Sequence, residues 1–208
     1  HIDLSAAEDM GISVTNTPDV LTAATAEITV ALILAVARRI SEGETLIRTG
    51  LWSGWNPTQL LSTGVTGKTL GLIGMGRIGQ RVAEIAGHGL QMRIQYFSRS
   101  NESTERLNGL KISKVSLERI LRTSDFVSIH CTANQDTFGL IGERELNLMQ
   151  SHSFLINTAR GAIVSEKALA EAVKNKTIAG AGLDVYELSL IHISEPTRPE
   201  RISYAVFW

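Results

Sequence analysis

Short apolar runs alternate with helix-patterned stretches between residues 69 and 185, and this alternation limits the fold more than any other feature. The runs are TLGLIG (69–74), MRIQYFS (92–98), FVSIHC (126–131), FLINTA (154–159) and AGAGLDV (179–185), with KIS (111–113) as a short additional strand. Strands that are apolar throughout are typical of a parallel sheet covered by helices on both faces. We therefore predict an α/β fold with a doubly wound parallel sheet.

Helical spacing is found in most of the intervening segments, which are GRIGQRVAEIAGHG, SLERILRT, GERELNLMQ and SEKALAEAVKN. Upstream, an alanine-rich segment from Asp19 to about Gly43 predicts one long helix. Apolar residues occupy most of its circumference, so it must pack on two sides. Residues 1–16 predict a short helix that ends at Gly11 and a strand at ISV (12–14), which is too little for a domain.

Composition excludes several classes of partner. Twenty basic and 21 acidic residues give a net charge of −1, so we expect no binding to nucleic acid or to an anionic membrane. The single cysteine, Cys131, cannot form an internal disulfide, and the longest apolar stretch, residues 28–37, is shorter than the roughly 20 residues that span a membrane. We predict a cytoplasmic, soluble protein whose partners are small molecules or a second copy of itself.

A glycine-rich turn follows the first strand of this pattern and opens a helix. In GLIGMGRIGQ, Gly74 permits a tight turn, Gly76 lets the backbone approach a pyrophosphate, and Gly79 lets the helix pack closely on the strand. The helix N-terminus would then face the anion. The pattern predicts dinucleotide binding, and the alternative is a purely structural glycine turn.

The end of the second strand bears on the choice of nicotinamide cofactor. An acidic residue there would bond the ribose 2′-hydroxyl of NAD(H), but this chain has Ser98, Arg99 and Ser100. An arginine flanked by two hydroxyls suits a 2′-phosphate. We predict a preference for NADP(H), with NAD(H) as the alternative. Arg99 as an ordinary solvated cation is the other interpretation.

Several segments, which follow one another along the chain as in the family, resemble the D-isomer-specific 2-hydroxyacid dehydrogenases. They are GKTLGLIGMGRIG, SDFVSIHC, LINTARGAIVSEKALAEAV and IAGAGLDVYE, and within the family VTNTPDVLTAATAEITVALILAVARR and GWNPTQLL most resemble the glyoxylate, hydroxypyruvate and 2-ketogluconate reductase branch. The resemblance covers residues 1–187. It implies a Rossmann-like dinucleotide-binding domain at 17–187 that lacks its last strand, and a remnant of a flavodoxin-like substrate domain at 1–16.

The resemblance also implies an activity and its residues. The parent enzyme would transfer hydride from NAD(P)H to a 2-keto acid, giving the D-2-hydroxy acid, and would form a homodimer through its cofactor domain. Arg160 would grip the substrate carboxylate and polarise its carbonyl, and Asp184 would hold the nicotinamide carboxamide. Further cofactor contacts would come from the backbone of Arg77 and Ile78 at the pyrophosphate, from Thr137 near a phosphate, and from Cys131, Thr132, Thr158 and Ala159 along the cleft.

Two of these positions need comment. Thr132 stands where the family usually has proline, which changes the shape of its loop. Cys131 has no accompanying base, so we interpret it as a packing residue and not as a nucleophile. No metal site is predicted.

The family also uses a histidine proton donor and a glutamate that orients it, and neither is found in its motif. Ser189 occupies the glutamate position, and the histidine would follow beyond residue 208. We interpret His1, His88, His130 and His152 as structural or surface residues, and the likeness of His192 and Glu195-Pro196 to the missing groups as accidental.

Residues 188–208 differ from the family pattern. LSLIHISEPTR (188–198) and ISYAVF (202–207) resemble the translation of a transposon-based sequencing adapter, so we predict a non-native, disordered tail. We expect this chain to bind cofactor at best and to be inactive as a catalyst. The alternatives are a cofactor-sensing, corepressor-like binding protein without turnover, and a fragment that does not fold.

Overall fold

A seven-stranded sheet forms the centre of the fold. The computed structural model describes residues 2–15, 19–100, 107 and 109–186, and the backbone of 205–207. The strands are β1 (Thr69–Ile73), β2 (Arg93–Phe97), β3 (Ile112–Lys114), β4 (Phe126–Ile129), β5 (Phe154–Asn157), β6 (Gly180–Leu183) and β7 (Ala205–Phe207). Their order is β3-β2-β1-β4-β5-β6-β7, and the first six strands in sequence are parallel. This is the doubly wound, Rossmann-like strand order, as predicted.

Helices cover both faces of the sheet. The helices of the described chain are α1 (Leu4–Asp9), α2 (Thr22–Arg38), α3 (Ile40–Arg48), α4 (Arg77–Glu84), α5 (Leu117–Thr123), α6 (Glu143–Leu148) and α7 (Glu166–Lys174), with a π-helical turn at Ile85–Gly89 and a 3-10 turn at Gly161–Ile163. The sheet is covered by α2 and α4 on one face and by α5, α6 and α7 on the other. Adjacent strand residues point to opposite faces: Phe126 packs in the core beneath α2 and α4, and Val127 in the core beneath α5, α6 and α7. No helix among the described residues is long and apolar enough to cross a membrane.

The helix predicted from Asp19 to about Gly43 is wrong in its bounds and continuity. The chain forms α2 and α3 instead, and Arg39 between them adopts a left-handed conformation with φ 55°. A returning segment closes the end of α2: Thr63 N donates to Ala37 O at 2.9 Å, and the Arg39 guanidinium donates to Leu61 O at 3.1 Å. The sequence at Arg39 has no helix-breaking residue, so we attribute the break between α2 and α3 to these contacts.

The apolar circumference of α2 is covered within the chain. The helix packs against α4, β5 and β6, and its buried residues include Ile33 and Val36. Its apolar residues therefore do not require a second copy of the chain to cover them. Large exposed apolar side chains are found on α3 and in the loop after it, at Ile47, Leu51, Trp52 and Trp55.

The N-terminal segment agrees with the sequence only in part. The predicted helix forms as α1, with the Asp3 carboxylate accepting a hydrogen bond from Ala6 N at 3.0 Å. Residues 12–15 form no strand, because no described strand lies beside them to pair with. Assignment of residues 1–16 to a substrate domain stays a prediction.

The C-terminal strand β7 was not predicted. Ala205–Phe207 pairs antiparallel with β6, although residues 188–208 were expected to be disordered. Without β7, the N–H and C=O groups along the outer edge of β6 would lack partners, so they form a template for any segment with strand propensity. The disorder prediction is wrong for these three residues, and residues 187–204 lie outside the described part of the chain.

At the amino ends of the strands, one carboxylate joins three segments. Asp125, whose side chain is 13% exposed, accepts hydrogen bonds from Thr69 N at 2.8 Å and from Lys68 Nζ and His152 Nε2, each at 3.2 Å. Burial raises the pKa of Asp125, but the Thr69 hydrogen bond, the Lys68 ammonium and His152 together lower it overall. The amino ends of β1, β4 and β5 are thereby fixed.

Candidate cofactor-binding site

The glycine turn after β1 is held between the ends of two neighbouring strands. Gly74 has φ 103°, and an added Cβ would lie 2.7 Å from both His130 C and Cys131 N. Its N–H donates to Phe97 O at 2.8 Å. Only glycine fits here, because the position combines a left-handed φ with contact to the backbone after β4.

The other two glycines shape the start of α4. Gly76 is its N-cap residue and has open space where a Cβ would stand, whereas a Cβ on Gly79 would collide with Gly74 O. The first N–H groups of α4 have no acceptor within the helix. A helix N-terminus beside open space suits an anion that approaches the backbone, and a pyrophosphate fits that description.

Two adjoining cavities lie at the carboxyl ends of the strands. The β2-side cavity has a volume of about 330 Å³ and is lined by Ile73, Gly74, Met75, Gly76, Phe97, Ser98, Arg99, Ser100, Leu117, His130, Cys131, Thr132, Asn134, Asp136, Thr137 and Leu140. The β5-side cavity, of about 500 Å³, is lined by Thr25, Ile78, His130, Cys131, Thr132, Ala133, Thr158, Ala159, Arg160, Gly161, Ala162 and Tyr186. They share the residues after β4. Between β1 and β4 the strand order reverses, which is where doubly wound sheets bind ligands.

The loop after β2 provides the cation of the β2-side cavity. Arg99 forms an ion pair with Asp136, which belongs to the loop after β4. Ser98 Oγ and Ser100 Oγ are 3.3 Å apart, and Lys114 Nζ donates to Ser100 O at 3.1 Å. The predicted Ser98-Arg99-Ser100 cluster therefore lines one cavity together with the glycine turn.

Thr137 braces the loop after β4. Its side chain is buried, and Thr137 Oγ1 donates to Thr132 O at 2.7 Å while accepting from Asn134 N at 2.8 Å. The hydroxyl proton of Thr137 is thus donated within the loop. The predicted contact between Thr137 and a phosphate of the cofactor stays a prediction. The hydrogen bonds give this loop a defined shape without the proline that the family usually has at Thr132.

The two residues that follow β4, His130 and Cys131, both favour their neutral form. His130 Nε2 lies 2.9 Å from Ser128 Oγ, and desolvation lowers the pKa of His130 to about 4, so the ring is neutral at pH 7. Desolvation raises the pKa of the half-buried Cys131 thiol, although a backbone hydrogen bond and the Arg99 charge act in the opposite direction. A protonated thiol is a poor nucleophile.

Asn157 organises the turn that carries Arg160. Its buried side-chain amide donates to Arg160 O at 2.9 Å and accepts from Ala159 N at 3.0 Å. The Arg160 guanidinium is exposed at the β5-side cavity and donates to Ala159 O at 2.6 Å. Its remaining N–H groups can serve a carboxylate or a carbonyl oxygen.

Thr158 is positioned by a hydroxyl that the sequence analysis missed. Thr29 Oγ1 donates to Thr25 O at 2.8 Å and lies 2.9 Å from Thr158 Oγ1, so Thr158 donates to Thr29. Both threonines are buried. A threonine on the apolar face of α2 was the available signal, but only the fold shows that it meets β5.

Asp184 lies directly after β6. Its N–H donates to Asn157 O at 3.0 Å, and desolvation of the half-buried carboxylate raises the pKa of Asp184. It does not line either cavity, and neither do Arg77, whose guanidinium lies 3.1 Å from Asp19, and Gly79. The other predicted site residues all line one cavity or both. Ser189, His192, Glu195 and His1 lie outside the described residues.

A family model agrees with this geometry. The model for the NAD-binding domain of D-isomer specific 2-hydroxyacid dehydrogenases matches residues 30–200. The chain belongs to this family. The resemblance found from the sequence motifs is confirmed, and the α/β domain of this chain is an NAD(P)-binding domain.

Individual relatives support the same assignment. The glyoxylate reductase of Thermococcus litoralis is 48% identical over 191 residues, which cover 90% of this chain and 57% of the relative. The TT0316 protein of Thermus thermophilus has a TM-score of 0.83 at 44% identity, covering 96% of this chain and 60% of that one. An acyclic imino acid reductase solved with NADPH and D-Arg has a TM-score of 0.79 at 36% identity, with coverages of 90% and 58%. The chain thus spans somewhat more than half the length of these relatives.

Proposed function

We propose that the whole protein reduces a 2-keto acid such as glyoxylate, hydroxypyruvate or 2-ketogluconate to the D-2-hydroxy acid, and that this chain supplies its cofactor-binding part. The observation that carries the proposal is the adjoining pair of cavities, which joins the glycine turn and Arg99 on one side to Arg160 on the other. A dinucleotide with its pyrophosphate at α4 would place its two ends in the two cavities. The bound nicotinamide supplies the hydride.

Arg160 is the catalytic residue of this proposal. Negative charge develops on the carbonyl oxygen of a keto acid during reduction, and a fixed guanidinium stabilises that charge. Two parallel N–H groups also orient a carboxylate. Asn157 fixes the backbone on which this guanidinium stands, through hydrogen bonds of 2.9 and 3.0 Å.

The proton donor is not one of the histidines among the described residues. His88 is exposed on the π-helical turn, and His152 hydrogen-bonds Asp125 at the opposite end of the sheet. His130 lines the cleft, but with a pKa of about 4 its ring is neutral at pH 7, and a neutral imidazole is a very weak acid. Loss of a general acid costs on the order of 10²- to 10⁴-fold in rate, so we expect at most weak turnover by this chain.

Preference for NADP(H) is tested at Arg99. We expect Arg99→Ala to weaken NADPH binding by about tenfold, as for loss of a charged hydrogen-bonding partner, and to leave NADH binding nearly unchanged. The measurement is a titration of both cofactors against the 208-residue chain. Tighter binding of NADH than of NADPH by the unsubstituted chain would contradict the preference.

Catalysis by Arg160 is tested by steady-state kinetics with glyoxylate and NADPH. We expect any measurable rate to fall by about 10²-fold or more in Arg160→Ala, with partial recovery in Arg160→Lys, because a cation is restored without the planar fork. Arg48→Ala on α3 is the control, since Arg48 is exposed and its ion pair is with Glu44, one turn earlier on the same helix. A rate that is unchanged in Arg160→Ala would remove this residue from the mechanism.

We further propose that the whole protein is a homodimer. The exposed side chains of Ile47, Leu51, Trp52 and Trp55 are 67%, 71%, 53% and 84% accessible and form an apolar region on α3 and its following loop. Apolar regions of this kind often mark interfaces between proteins. Light scattering coupled to size-exclusion chromatography gives the answer, and a monomer at micromolar concentration would contradict the proposal.

A further inference from the structure

One carboxylate in the cleft has no role in the proposed function. Asp136 lines the β2-side cavity with Ser98, Arg99 and Ser100, and its carboxylate is paired with the Arg99 guanidinium. The two partners follow different strands, β4 and β2, and are 37 residues apart in sequence. Their ion pair therefore spans the cavity in which a 2′-phosphate would be bound.

The pair leaves this cavity without net charge. Arg99 and Asp136 are the charged side chains among the described residues that line it, apart from His130, which is neutral at pH 7. A 2′-phosphate carries between one and two negative charges at this pH, whereas the 2′-hydroxyl of NAD(H) carries none. The carboxylate therefore opposes one cofactor and is indifferent to the other.

Asp136 is held in place independently of Arg99. Its N–H donates to Asn134 Oδ1 at 3.0 Å, and the same loop is closed by the hydrogen bond from Thr137 Oγ1 to Thr132 O at 2.7 Å. The carboxylate thus stays near the cavity when the guanidinium turns to a ligand. A phosphate must then replace it as the partner of Arg99.

Breaking the Arg99–Asp136 ion pair costs too little free energy to prevent NADPH binding, but enough to change the measured affinity. The Arg99 and Asp136 side chains are 57% and 72% exposed, and ion pairs that are so open to solvent contribute little to stability. The competition is therefore expected to change the affinity for NADPH by a small factor and to leave the affinity for NADH unchanged.

We propose that Asp136 is a specificity-determining residue, which moderates the preference for the 2′-phosphorylated cofactor by occupying Arg99. The inference rests on the proposed function, because it assumes that the 2′-phosphate is bound at Arg99. Asp136 acts here through Arg99 and is a positioning residue without direct catalytic duty.

Asp136→Asn tests the inference, because it removes the charge and keeps the size of the side chain. Titrations of the 208-residue chain with NADPH and NADH in low salt are expected to show NADPH binding about two- to fivefold tighter, and NADH binding unchanged within twofold. The gain should shrink at about 0.5 M salt, where the charges are screened. Glu44→Gln, which breaks an equally exposed ion pair on α3, is the matched control and should change neither affinity.

A second pair of variants tests the route through Arg99. In an Arg99→Ala background the competition for the guanidinium is gone and only direct repulsion between the carboxylate and the phosphate remains, so the gain in NADPH binding from Asp136→Asn should differ from the gain in the unsubstituted chain. Unchanged or weaker NADPH binding by Asp136→Asn, or an equal gain for NADH, would overturn the inference and leave cofactor binding intact. Failure of every variant to bind either cofactor would instead overturn the proposed function together with it.

Discussion

The two ends of the parallel sheet differ in how their polar groups are used. At the amino ends, Asp125 is almost fully engaged by Thr69, Lys68 and His152 within the chain. At the carboxyl ends, the first N–H groups of α4, the Arg160 guanidinium and the Asp184 carboxylate face open or half-open space. The amino ends are built for stability, and the carboxyl ends keep polar groups available for a ligand.

The glycine turn contributes both to the stability of the fold and to the candidate binding site. Substitution of Gly74 in this turn is expected to have the largest effect on stability. Gly74→Ala should destabilise the fold by about 3 kcal/mol or more, because the new Cβ meets backbone atoms that cannot move aside. Chemical denaturation measures the change. Gly64→Ala is the control, since a Cβ there meets nothing within 4 Å, and a Gly74→Ala protein as stable as that control would contradict the geometry of the turn.

Acid sensitivity of the carboxyl end should come from His130, with a smaller effect. Its pKa is about 4 in the folded chain and about 6.5 when unfolded, so the unfolded state binds the proton first. Stability is fully present above pH 6.5 and falls by at most about 3 kcal/mol as the pH drops to 4.

His130→Gln isolates this contribution. The pH dependence of its unfolding free energy between 6.5 and 4 should be shallower than that of the unsubstituted chain, because glutamine does not titrate. Parallel slopes for the two proteins would show that His130 titrates normally. The ring would then be accessible to protons and available for acid–base chemistry.

The amino end is tested by Asp125→Asn, for which the smallest effect is expected. The substitution keeps an acceptor for Thr69 N but removes the charge paired with Lys68, so we expect a loss of about 1 kcal/mol at pH 7. Because folding lowers the pKa of Asp125, its contribution is complete above its unfolded pKa and disappears as the pH falls through the lower folded value. Cofactor affinity should not change, and a loss of affinity equal to that of a cleft variant would end the distinction between the two ends.

Residues in continuous motifs could be predicted from the sequence, whereas pairings made by the fold could not. Apolar runs such as FVSIHC and FLINTA predicted β4 and β5, and the glycine spacing predicted the turn at the start of α4. The break at Arg39 depends on the segment at Leu61 and Thr63, which returns from more than 20 residues away. Helix propensity depends on residues that are near in sequence, so it cannot predict such a contact.

The candidate site shows the same division. Arg99 and Arg160 stand in recognisable motifs, so their placement at the cleft could be expected before the fold was known. Asp136 and Thr29 act through partners that are 37 and 129 residues distant, so only the assembled sheet identifies them. The strand β7 belongs to the same group, because its formation depends on the free edge of β6.

The central claim is that the carboxyl end of this sheet binds a nicotinamide dinucleotide at the glycine turn. The most direct test is thermal unfolding of the chain and of Gly76→Ala, with and without saturating NADPH. A ligand at 100 times its Kd stabilises the native state by about 2.7 kcal/mol, so the unsubstituted chain should melt several degrees higher with NADPH. Gly76→Ala should melt normally without ligand, since its Cβ enters open space, and should gain little from NADPH. No shift in the unsubstituted chain, or an equal shift in both proteins, would contradict the claim.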